Sequence, residues 1–135
     1  MQLTELTEET VDTLLAAAGP QLEIPMVMVE VRLLGGALAR QPRVPNAVAG
    51  RDGAFQVLVL GPAVPELASV VPAIGKGILA ALEPWKAPGC VTNFLGEVSG
   101  PAEVAASYPP GVAERLLAVK AAVDPDRVFS FGHAL

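Results

Sequence analysis

Cysteine occurs once in 135 residues, at Cys90, and histidine once, at His133. An internal disulfide is thereby excluded, as is any zinc site built from several cysteines, and no metal site is expected. Lysine and arginine together number nine against fourteen acidic residues, for a net charge of −5. Nine scattered cations leave no electrostatic footprint for a phosphate backbone, so nucleic acid is not an expected partner. Long apolar runs are missing too. The most apolar stretch, Val57 to Leu82, is interrupted by Pro62, Pro65, Glu66, Pro72 and Lys76, whereas a spanning helix needs about 20 predominantly apolar residues. The opening MQLTELTEET is acidic and polar, without the basic and then apolar regions of a secretory signal. The expectation is a cytoplasmic protein with no membrane partner.

What the chain does have is apolar content: 52% of its residues, with charged residues at only 17% and a mean hydropathy of +0.49. Disorder is excluded by that balance. With a membrane span set aside, the hydropathy is read as apolar surface that meets another domain or subunit.

The first element is expected to be a helix from Glu8 to Ala18. Thr7 is its N-cap, Glu8 and Glu9 complement the dipole, and Leu6 and Val11 stand at hydrophobic-staple positions. Val11, Leu14, Leu15 and Ala18 share one face, and Gly19-Pro20 stops the helix. Met26 to Leu34 reads as a strand, with Val27, Val29, Val31 and Leu33 toward the core and Met28, Glu30 and Arg32 on the other face. That second face is either a solvated surface with an ion pair or the wall of a cavity. After a Gly35-Gly36 turn and a loop over residues 38–52, Ala54 to Leu60 reads as a second strand. A helical region from Pro65 to Leu82 carries Leu67, Val71, Ile74, Ile78 and Leu82 on one stripe, and Pro72 is expected to kink or divide it. Cys90 to Leu95 reads as a short third strand, and Ser99-Gly100-Pro101 as the lead into a helix near Ala102 to Ser107. Val112, Leu116, Val119 and Val123 mark a last helix that Asp124-Pro125 ends. This order implies an α+β fold, with a small three-stranded, mostly antiparallel sheet and helices on one face.

No self-sufficient catalytic constellation stands out. Gly35-Gly36 lacks the spacing of a phosphate loop and reads as a turn or bulge. His133 has no HExxH or GxSxG context and reads as structural or interfacial. Cys90 reads as a buried small residue and Trp85 as a cap of the preceding helix against the core. Few side chains could exchange protons at all, chiefly Glu30, Tyr108 and His133.

The C-terminal third carries a more specific pattern. It runs Tyr108-Pro-Pro-Gly-Val-Ala-Glu-Arg115-Leu116-Leu-Ala-Val119-Lys120, then Asp124-Pro125-Asp-Arg-Val128-Phe129, then Phe131-Gly132-His133-Ala134-Leu135. With Glu30-Val31-Arg32-Leu33-Leu34-Gly35-Gly36-Ala37, Arg51-Asp52-Gly-Ala-Phe55 and Val91-Thr92-Asn93-Phe94, it resembles the berberine-like C-terminal part of FAD-linked oxidases of the berberine bridge enzyme family, bacterial branch. The resemblance spans residues 5–135.

That resemblance implies that residues 1–123 form part of a substrate-binding domain and residues 124–135 a tail that packs on a flavin domain. It implies a sheet with helices on one face and the flavin ring under the other, and FAD bound only with a partner domain. Asn93 would contact cofactor or substrate, while Glu30, Arg32 and Val91 would line the substrate pocket for a small apolar organic molecule. No catalytic residue is assigned. Val91 stands where the family has a tyrosine and cannot exchange a proton, and Pro109 replaces the family's glycine. The flavin-binding domain has no counterpart here, so the implied role is a partial oxidoreductase, inactive alone, that roofs the pocket of a separate flavin-domain subunit. The other expectation is a non-catalytic small-molecule-binding or dimerisation module, a homodimer derived from such an oxidase.

Overall fold

The computed structural model describes residues 1–96, 100–133 and 135. Three strands, β1 (Gln2–Leu3), β2 (Met28–Leu33) and β3 (Phe55–Leu60), form one antiparallel sheet in the order β1-β3-β2. Around it lie helices α1 (Glu8–Ala18), α2 (Val70–Ala81), α3 (Pro101–Ala106) and α4 (Val112–Val123), with 3-10 turns at Pro65–Leu67, Glu83–Trp85 and Thr92–Phe94. The architecture is α+β, as the sequence pattern implies.

The third strand is not the segment expected. Residues 90–95 do not join the sheet; the Phe94 amide donates to the Val91 carbonyl (2.8 Å) and Leu95 to Thr92 (3.3 Å). Gly89 and Gly96 flank this turn at φ 76° and 72°, left-handed values that glycine adopts without strain. The third place in the sheet is taken by Gln2–Leu3. Its backbone is bonded on both sides, with Val57 N–H donating to Met1 and Ala54 to Leu3 from β3, and Ala87 to Gln2 from the other flank.

Pro72 neither kinks nor divides α2. It is the third residue of that helix, where its missing N–H belongs to a first turn with no intrahelical acceptor. The interruption falls earlier, between the Pro65–Leu67 turn and Val70. Elsewhere the end signals hold. Thr7 caps α1, with its hydroxyl accepting from Thr10 N–H (3.2 Å) while the Thr10 hydroxyl accepts from Thr7 N–H (3.1 Å). α3 begins on Pro101 and α4 ends at Asp124. Ser99, expected to lead into α3, lies outside the described residues.

Strand register sorts the side chains into two sets. Val29, Val31 and Leu33 pair with Val59, Val57 and Phe55, and Met28, Glu30 and Arg32 pair with Leu60, Leu58 and Gln56. The first face is the core. Leu3, Val57 and Leu82 are fully buried there, joined by Leu14 of α1, Leu79 of α2 and Trp85. Burying each leucine contributes about 1.5–3 kcal/mol. Gly61 follows β3 directly because Val71 lies against it; a Cβ at Gly61 would sit 2.2 Å from Val71 Cγ1.

This core is small for the apolar content. Val27, Leu33, Val123, Val128, Phe129 and Phe131 are all exposed. A monomer of 13.9 kDa exposes about 6,700 Å² on the usual scaling. This chain exposes 9066 Å², roughly a third more. No helix among the described residues is long and apolar enough to cross a membrane.

Candidate functional site

The side chains opposite the core make the candidate site. On that face Gln2 and Gln56, cross-strand partners at one end, are buried. A Cβ at Gly50 or Gly53 would meet the Gln2 amide at 2.6–2.7 Å, so glycines at these positions let the loop close over it. Toward β2 and the far end the face opens. Met28, Arg32 and Leu60 are exposed, while Glu30 and Leu58 are half-buried.

Glu30 and Arg32, two apart on one strand, point the same way. Arg32 Nη2 lies 2.6 Å from Glu30 Oε1, and its side chain is 54% exposed. An ion pair this wet is worth about 0–1 kcal/mol, so it shapes the surface more than it stabilises the fold. The Arg32 guanidinium also lies over the Phe94 ring, 6.0 Å from its centroid, within cation–π range. The structure thus brings Glu30, Arg32 and Phe94 together.

Val91 and Asn93 do not share a sheet face, as strand alternation had implied. Residues of a 3-10 turn advance by about a third of a revolution each, so positions two apart diverge. Val91 is half-buried at the start of the turn and Asn93 is exposed. Cys90 is half-buried, with its thiol 3.8 Å from the Phe94 carbonyl as donor. Phe94 is the residue that sequence reasoning missed, because its approach to Arg32 goes with the 3-10 turn at Thr92–Phe94 and not with the strand expected there.

A second cluster lies at the C-terminus. Asp124 accepts from Val128 N–H (2.8 Å) and Phe129 N–H (3.2 Å) and pairs with Lys120. Lys120 in turn donates to the Phe129 carbonyl (2.6 Å) and lies over the Phe129 ring. These contacts hold a turn in which Arg127 adopts φ 53°. Lys120 beside Asp124 holds its carboxyl below the usual carboxylate range, helped by the two backbone bonds. Tyr108 and His133 line an open groove of about 460 Å³ between α4 and the tail, with Leu116, Val123 and Phe131. Glu30 lies apart from them, on the sheet. Ala134, part of the tail motif, is outside the described residues.

A dinucleotide such as FAD needs donors for its pyrophosphate. The amino end of α1 is closed by Thr7 and Thr10 and carries Glu8 and Glu9, α2 has Pro72 in its first turn, and Glu114 stands in the first turn of α4. None of these suits a diphosphate. Met28, Leu60, Arg32 and Phe94 could meet one face of a flat ring, but its phosphates would need another domain. Among the described residues no group of three or more His, Cys, Asp or Glu side chains could hold a metal ion. No protein-family model matches the chain, and no curated protein matches it significantly.

Proposed function

We propose that this chain is part of a flavin-dependent oxidoreductase, roofing the substrate pocket of a flavin domain carried by another subunit. The observation that carries the reading is the sheet's open face. Helices α1 and α2 cover one side, and the other leaves a charged pair, Glu30 and Arg32, among Met28, Leu58, Leu60 and Phe94. A pocket for a small organic substrate is built this way, from apolar walls with a few placed polar groups. The flavin would be held by the partner, and this chain would offer Arg32, Glu30, Val91 and Asn93 to substrate, with Asn93 also reaching the cofactor. The exposed tail, with Val128, Phe129 and Phe131, supplies apolar surface for the same partner. The family resemblance of residues 108–133 points the same way.

The test is reconstitution. Mixing the purified chain with a candidate flavin-binding subunit should give a complex whose flavin absorbance co-elutes with both chains, and Arg32→Ala should alter substrate turnover in it. A candidate subunit that binds flavin yet neither binds this chain nor changes its reactivity with it would overturn the proposal.

A further inference from the structure

The free edge of the sheet is the outer side of β2, and the backbone pattern there is unusually well defined. The order β1-β3-β2 leaves β2 with one strand neighbour. Leu34 N–H donates to Ala54 on the β2 side of β3, and Val57 N–H donates to Met1 on the β1 side. Because such bonds alternate along an antiparallel strand, Met28, Glu30 and Arg32 direct their backbone groups to β3. Val29, Val31 and Leu33 direct theirs outward, and no hydrogen bond engages those outward groups among the described residues. Beside them Leu33 is 73% and Val27 72% exposed. Row and side chains together form a template for another strand.

We propose that the partner on this edge is β2 of a second copy, paired antiparallel about Val31 to make one six-stranded sheet. The register follows from two requirements. Bonds can form only where an outward residue meets an outward residue, so odd positions must face odd positions across the seam. Pairing Val31 with its own copy then sets Val29 against Leu33, and it sets Glu30 against Arg32 of the other chain, twice. A shift of two residues one way places Glu30 opposite Glu30, and the other way Arg32 opposite Arg32. Both shifts shorten the ladder and oppose like charges. Only the centred register bonds all three outward residues and complements every charge, and it also covers Leu33 with an apolar neighbour. Glu30 and Arg32 of one chain already touch at 2.6 Å, so the four side chains form an alternating row with little rearrangement. Charges that ordinarily deter edge pairing are here arranged to favour one register.

Sedimentation equilibrium on the purified full chain tests this. The expected mass is twice 13.9 kDa at tens of micromolar protein. Leu33→Pro removes an outward N–H that β3 does not use, a substitution edge strands tolerate, and should give a monomer with an unchanged circular-dichroism spectrum. Arg32→Glu should weaken self-association by about tenfold or more. The double variant Glu30→Arg with Arg32→Glu restores opposite pairs in the same register and should restore the dimer. A monomeric wild-type chain, a dimer unmoved by Leu33→Pro and Arg32→Glu, or a charge-swapped variant no better than Arg32→Glu would each overturn the proposal. None of these readouts involves flavin, so they succeed or fail independently of the oxidoreductase reading.

Discussion

Leu3 is the residue whose removal most directly tests the architecture, because a two-residue strand with no hydropathy pattern of its own supplies a third of the buried core cluster. It is fully buried against Val57 and Leu82. Replacing it with alanine removes the side chain beyond Cβ and leaves a void that helices on one side and a sheet on the other cannot readily close. Leucine-to-alanine changes at such sites cost about 2–5 kcal/mol, a large share of the 5–15 kcal/mol typical of a domain. With a urea dependence of about 1–3 kcal/mol per molar, a 3 kcal/mol loss lowers the midpoint by about 1–3 M. Trp85, the chain's one tryptophan, packs on this cluster, so its fluorescence reports the transition. Leu33→Ala is the matched control: the same chemistry at a site 73% exposed, expected within about 0.5 kcal/mol of wild type when measured as a monomer. A Leu3→Ala midpoint no lower than that of Leu33→Ala would refute the placement of the N-terminal segment in the sheet.

Gly61→Ala places a methyl group 2.2 Å from Val71 and should cost about 1–3 kcal/mol in the same titration, with Val71→Ala in the same chain recovering part of the loss. Thr7→Ala removes the acceptor for Thr10 N–H at the start of α1 and should cost about 1 kcal/mol. Asp124 is ionised below the usual carboxylate range in the folded chain, so its contribution is present above the unfolded value of 3.8 and is lost as pH falls through the lower folded value. Amide exchange at Val128 and Phe129 should therefore stay protected at pH 5 and lose protection as acid protonates Asp124, and Asp124→Asn should abolish that pH dependence.

Where elements carry their own local signals, the sequence reads well. The bounds of α1 and the end of α4 follow from Thr7, Gly19-Pro20 and Asp124-Pro125, each a local effect acting within one turn. The β2–β3 pair follows from alternation over six residues. The third strand fails for a different reason. Residues 90–95 have strand-like composition, but composition cannot say whether a neighbouring strand has room for them, and the backbone there closes a 3-10 turn at Thr92–Phe94 instead. Gln2–Leu3 is too short to show any period, so only its tertiary bonds reveal it. The site divides the same way. Adjacency of Glu30 and Arg32 on one face is local and legible, whereas the approach of Phe94 to Arg32 depends on a turn more than fifty residues away.

The high hydropathy and the small core have one physical explanation. Apolar side chains that would fill the interior of a self-sufficient domain are here spread over surfaces: the β2 edge, the open sheet face and the tail. The excess over the usual monomer scaling is about 2,400 Å², some three times the roughly 800 Å² that each partner contributes to a standard interface. One contact therefore does not exhaust it, and the two proposed contacts need not compete. Strand addition uses backbone groups in the plane of the sheet, while a flavin domain would meet side chains perpendicular to that plane. They intersect only at Glu30 and Arg32, whose side chains leave the strand on the open face. Pairing β2 with its copy would satisfy these charges across the seam and fix their rotamers. A pocket floored by that face would then be walled by an ordered ion-pair row, better suited to holding a substrate than two mobile surface charges.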